Sequence, residues 1–183
     1  MIRNALSILV FVATAVSPAF AQTGGRIRER SWFNVGGGVG AMTCKRCDGG
    51  NTGLVGDIGF GGTLSPQMLI AFTATGWTKS VGGTTLLIGT LGGRFRLYTS
   101  LNGGAHVTAA VGLGVVNGAF NAISSPNGAY TEPEYGTSLE LGFGYDARIR
   151  PMLSLTPFVR GLYVKTESAD GFIAQIGLGI TSH

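Results

Sequence analysis

The chain has 183 residues, 32 of them glycine, with 44% hydrophobic and only 12% charged residues and a formal net charge of +4. So apolar and weakly charged a composition excludes a disordered chain, and so small a positive charge argues against a nucleic-acid partner. The glycines follow no collagen period and sit inside apolar alternation rather than in polar linkers.

Arg3, the apolar run Ala5 to Val16 and the small-residue site Ala19-Phe20-Ala21 read as a secretory signal peptide, residues 1–21, cut before Gln22. The run is too short, and wrongly flanked, for a membrane-spanning anchor, and no other apolar run approaches the roughly 20 residues of a spanning helix. Loss of Arg3 takes the formal charge from +4 to +3. Residues 22–31 form a short arm with Arg26, Arg28 and Arg30, read as a solvated periplasmic tail or, alternatively, as a contact for anionic head groups.

From Trp32 onward the sequence alternates with a period of two, the signature of two-faced strands. Trp32 to Met42 sets Phe33, Val35, Val39 and Ala41 against Asn34, Gly36, Gly38 and Gly40. The polar loop Thr43 to Thr52 carries the only cysteines, Cys44 and Cys47. Gly53 to Leu64 sets Leu54, Ile58, Phe60 and Leu64 against Val55, Asp57, Gly59 and Thr63, and Ser65-Pro66-Gln67 turns the chain. Met68 to Trp77 has less distinct faces. Thr84 to Tyr98 sets Leu87, Leu91, Phe95 and Leu97 against Thr90, Gly92, Arg94 and Arg96, with Leu86 and Ile88 blurring the polar face.

His106 to Gly118 alternates clearly, and the longest loop, Ala119 to Glu134, follows. Tyr135 to Arg148 is the clearest strand, with Tyr135, Leu139, Leu141, Phe143 and Tyr145 on one face and Glu140, Asp146 and Arg148 on the glycine-rich other. Leu153 to Lys165 is a strand despite Pro157, which cannot donate to a ladder. Phe172 to His183 is the last.

These eight strands have the length a tilted strand needs to cross a bilayer, and an even count brings both ends to one side. The charges decide which face meets what. Asp57, Arg94, Arg96, Glu140, Asp146, Arg148 and Arg160 all fall on the glycine-rich faces. A soluble barrel would have to pack eight greasy faces into a narrow lumen. Turned the other way, lipid takes the Leu/Val/Phe faces, and closure removes the unpaired edges that lipid would not tolerate. The expected fold is all-β: a closed, antiparallel, eight-stranded, up-and-down transmembrane β-barrel over residues 32–183, with turns on the periplasmic side and the Cys loop and Ala119–Glu134 outside.

In this pattern the chain resembles the small eight-stranded outer-membrane barrels of the OmpA transmembrane domain and OmpX type. The resemblance covers the mature chain from about Trp32 to His183 and implies location in the bacterial outer membrane, contact with its lipids and lipopolysaccharide, and insertion by the barrel-assembly machinery. Two departures stand out. Members of that group usually end in an aromatic residue, whereas this sequence ends Gly177-Leu178-Gly179-Ile180-Thr181-Ser182-His183, with Ser182 on the lipid face. Nor does the sequence lead one to expect a peptidoglycan-binding domain after the barrel.

Within the lumen, Glu140 is expected to pair with Arg160, with Asp57 at the same level, while Arg94, Arg96, Asp146 and Arg148 form a second cluster nearer the periplasm. Trp77, Tyr135 and Tyr163 are expected in an outer aromatic girdle, and Phe33, Tyr98 and Tyr145 in an inner one. For an exported chain, Cys44 and Cys47 read as a small structural disulfide, with free or intermolecular thiols and redox chemistry as alternatives. No metal site or cofactor is expected.

Three function classes remain. A structural barrel whose loops make contacts is favoured, the loop residues Tyr130, Glu132 and Glu134 being candidates for an unknown extracellular ligand. The lumen charges as a gate in a narrow passive pore are the alternative. A lipid A-modifying enzyme would need serine and histidine with an acidic partner, and His106 and His183, the only histidines, both fall at the periplasmic end.

Overall fold

The structure, a computed structural model, describes residues 31–44, 51–81, 84–101, 104–117, 133–167 and 170–183. Its strands are β1 Ser31–Cys44, β2 Asn51–Ser65, β3 Met68–Val81, β4 Thr84–Tyr98, β5 Ala105–Asn117, β6 Glu134–Tyr145, β7 Ala147–Arg150, β8 Leu153–Lys165 and β9 Asp170–Ser182. All neighbours are antiparallel, and β1 pairs with both β2 and β9, so the sheet closes. β6 and β7 both pair with β8 and are two pieces of one wall strand, which makes an eight-stranded barrel.

The break between them, at Asp146, interrupts what the sequence reads as one continuous strand. It lies opposite Thr156 and Pro157, because Gly144 pairs with Phe158 and Ala147 with Leu155. Proline has no N–H to give a ladder, and the Asp146 N–H instead donates to the Gly104 carbonyl at 2.9 Å. Pro157 is thus accommodated inside β8 where the neighbouring ladder already lapses.

The tilt of the strands follows from the register. Starting at Phe33 and stepping from partner to partner, the row runs through Phe60, Phe72, Gly93, Val111, Leu139, Tyr163 and Phe172. It returns to β1 at Thr43, ten residues beyond its start. A stagger of that size, at about 3.3 Å per residue, spread over eight inter-strand spacings of about 4.7 Å, tilts the strands by roughly 40°. Residues level in the ladder are therefore not level along the barrel axis.

Alternation divides the side chains as lipid requires. Val111, Leu141 and Ile176 face outward at 65%, 58% and 46% exposure, while Arg94 and Glu140 are inside at 1% and 3%. The outer face also carries Phe60 and Phe72, with ring centroids 5.8 Å apart. Outer and inner glycines differ in what surrounds them. A Cβ on outward Gly76 would meet nothing, whereas one on inward Gly92 would run into the Val111 carbonyl oxygen and the Gly112 Cα of the paired strand. We expect Gly76→Ala to leave unfolding in urea unchanged, and Gly92→Ala to lower stability by about 1–3 kcal/mol, because backbone cannot yield as a side chain does.

Candidate functional site

Among the described residues, chemistry-bearing side chains converge in the lumen, which is built in three layers. Nearest the loops, Met42, Val55, Trp77, Leu86, Ile88, Val116, Leu162, Val164 and Ile173 form an apolar cluster inside the barrel. All lie in the loop-side parts of their strands. Leu86 and Ile88, which break the polar alternation of β4, do so because they belong to this plug. Trp77 is wholly buried in it, its Nε1–H donating to the Gly40 carbonyl at 2.9 Å.

The middle layer holds two arginines and two carboxylates. Arg94 Nη2 lies 2.7 Å from Asp57 Oδ1 and 2.9 Å from Glu140 Oε1. Arg160 Nη1 lies 2.8 Å from Asp57 Oδ1, and its Nε lies 3.9 Å from Glu140 Oε1. Thr75 donates its hydroxyl to Asp57 Oδ1 at 3.1 Å. The Arg160 guanidinium also stacks over the Phe158 ring at 3.9 Å. Two positive and two negative charges make the layer neutral, which buried ions need.

The layer at the turn end mixes rings with a second polar network. Trp32, Leu69, Ala71 and Tyr98 form its apolar part, with the Arg96 guanidinium 4.7 Å over the Trp32 ring. Asp146, fully buried, is its hub. It accepts from the Tyr98 hydroxyl, from the Thr156 hydroxyl at 2.7 Å and from His183 Nε2 at 3.2 Å. Arg96 Nη1 stands 3.7 Å from it. His106 Nδ1 stands 3.9 Å from Asp146 and 3.1 Å from the Gly104 carbonyl oxygen.

The expected sites are placed as follows. Asp57, Arg94, Arg96, Glu140, Asp146 and Arg160 all point inward and are paired, and Arg148 is half-buried at the turn end. The grouping needs correction: Arg94 belongs with Asp57, Glu140 and Arg160, not with the periplasmic cluster. Its row passes through Ala110 to Glu140, and the 40° tilt carries that row up the axis toward Glu140. Glu140 and Arg160 share the layer, but Asp57 is the closer partner of Arg160.

Two girdle assignments are also corrected. Trp77 and Tyr98 are 0% and 1% exposed and lie inside the barrel. In β3 Trp77 shares parity with inward Thr73 and Thr75, and in β4 Tyr98 shares it with Arg94 and Arg96. Phe33, Tyr135, Tyr145 and Tyr163 are on the outer face. The side chains of Cys44 and Cys47, and the loop carrying Tyr130 and Glu132, lie outside the described residues, as do the signal peptide and most of the arm. Thr75, Thr156, Thr181, Asn34 and Trp32 complete the networks, though nothing in their local sequence marks them for it. Only the pairing register brings them together.

No family model and no curated relative matches the sequence. Solved structures do match in fold. The Ail protein of Yersinia pestis aligns with a TM-score of 0.61 at 7% identity, over 85% of this chain and 99% of that one. Neisserial surface protein A gives 0.60 at 12% identity, over 83% and 96%. OprG of Pseudomonas aeruginosa gives 0.54 at 13% identity, over 87% and 100%. The fold is thus that of the small outer-membrane barrels.

Proposed function

We propose that this chain is a structural protein of the bacterial outer membrane: a sealed barrel that holds its loops at the surface and transports nothing. Lipid and lipopolysaccharide surround its apolar face, and the barrel-assembly machinery inserts it after export. The stacking of the lumen is the observation that carries this reading. A neutral ionic layer stands between an apolar plug at the loop end and a layer of packed rings and hydrogen-bonded polar groups at the turn end. A solute would have to displace Trp77 and Leu162 and then break ion pairs. A cavity beside Glu140, lined by Thr73, Thr90 and Ser138, measures about 10 Å³, the space of a single water.

The passive-pore reading asks for a continuous wet path, and the apolar plug opposes it. The enzyme reading asks for a histidine free to act at the lipid surface. His106 and His183 are instead held at the turn end by Gly104 and Asp146.

The purified, folded protein in planar bilayers is expected to give no current steps. Reproducible unit steps that change size in Glu140→Ala would overturn the sealed-barrel reading in favour of a gated pore.

A further inference from the structure

We propose that His183 is an internal latch on the seam where the barrel closes, acting through its bond to Asp146. The seam is the β1–β9 pairing, and its inner face is short of side chains. Gly36 faces Gly179, and Gly38 faces Gly177. Cross-strand side-chain pairs are what stabilise a sheet beyond its backbone ladder, and glycine supplies none. On the lumen side, the middle of the seam therefore has no side-chain pair between β1 and β9, only the backbone ladder with the Phe158 ring of β8 lying against Gly36 and Gly177.

The turn end of the seam is different. His183 directly follows β9, and its backbone N–H donates to the Met152 carbonyl at 3.1 Å, which draws the chain toward the β7–β8 turn. The imidazole enters the barrel mouth, with Nε2 3.2 Å from Asp146 Oδ2 and the ring edge-on to Tyr98, centroids 6.2 Å apart. Tyr98 bonds that same carboxylate oxygen. The other oxygen takes the Thr156 hydroxyl, which lies 2.7 Å from that of Thr181. Thr181 in turn accepts from Asn34 Nδ2 at 3.2 Å.

One hydrogen-bonded path thus runs from β4 through Asp146 and β8 to β9, and across the seam to β1. His183 adds a second tie from β9 to Asp146, reaching across the intervening β8, a cross-brace that the ladder cannot provide. It fixes both the position and the register of β9 at the end where Phe33 and Ser182 make the seam's last pair.

The test is amide hydrogen exchange of the folded protein in detergent. A charge-assisted hydrogen bond is worth enough to change local opening by about tenfold. His183→Ala is therefore expected to raise exchange about tenfold at Gly179–Ser182 and Phe33–Gly36, with the β3–β4 hairpin unchanged. His183→Gln keeps a donor for Asp146 and is expected to restore slow exchange, while His183→Phe keeps only the ring against Tyr98 and is not.

Unchanged exchange in His183→Ala, an equal rise in every strand, or rescue by Phe but not by Gln would each overturn the latch. If His183→Ala yields no folded band on a heat-modifiability gel, the Gln and Phe variants decide the matter by the same measurement.

Discussion

Replacing Asp57 with alanine is expected to lower the stability of the folded barrel by about 3–5 kcal/mol, the cost of leaving buried charge uncompensated. Asp57 is the shared partner of the middle layer. It accepts from both arginines, at 2.7 Å and 2.8 Å, and from Thr75. Without it, two guanidiniums share the Glu140 carboxylate, and a net positive charge is stranded in a lumen whose walls face lipid. Both arginine side chains are almost fully buried, so water cannot take over the lost contacts.

The sign of a second change separates charge balance from packing. Adding Arg94→Met to Asp57→Ala leaves Arg160 opposite Glu140, a neutral pair, and is expected to recover at least about half of the loss, since a removed ion pair costs less than a broken one. Urea unfolding followed by gel mobility reads both numbers. An Asp57→Ala midpoint within error of the parent, or a double variant worse than the single one, would mean that the layer is not held together by its charges.

The wall of this barrel was legible in the sequence because lipid imposes a rule on every second residue. Leu139, Leu141 and Phe143 against Glu140 and Gly142 can be sorted by parity alone, and parity repeats strand after strand. The contents of the lumen were less legible, for two physical reasons. First, who meets whom inside depends on the stagger of the sheet, which no single strand reveals. Arg94 reaches Glu140 because ten residues of shear tilt their shared row, not because of anything in β4. Second, residue type at a strand end misleads. Trp77 and Tyr98 look like interfacial rings by position, yet they follow the parity of Thr75 and Arg96 and turn inward. Parity along the strand, not the ring at its end, determines which way these side chains turn. The break at Asp146 has a weaker sequence signal, Pro157 in the strand it opposes.

Trp77 supplies the sharpest contrast between the two places such a ring can occupy. On the outer face its loss would remove a lipid contact that neighbouring acyl chains refill. In the plug, Trp77→Ala is expected to cost about 3–5 kcal/mol, the range for emptying a large aromatic side chain from a packed interior. The cost should fall at the upper end because the surroundings cannot collapse. The ring lies over Gly40 and Gly53, where a Cβ would already touch its Cδ1 or Cε2, so these neighbours have no side chain to move into the space. Trp77→Phe fills most of the volume but loses the bond from Nε1 to the Gly40 carbonyl, and is expected to cost only about 1–2 kcal/mol. Tyr163→Ala, on the outer face at 39% exposure, is the control and should cost less than either. If urea unfolding ranked Tyr163→Ala as the most damaging of the three, the apolar plug could not be what holds the loop end of the lumen shut. A cost for Trp77→Phe equal to that of Trp77→Ala would instead assign the contribution of Trp77 to its hydrogen bond and leave packing no role.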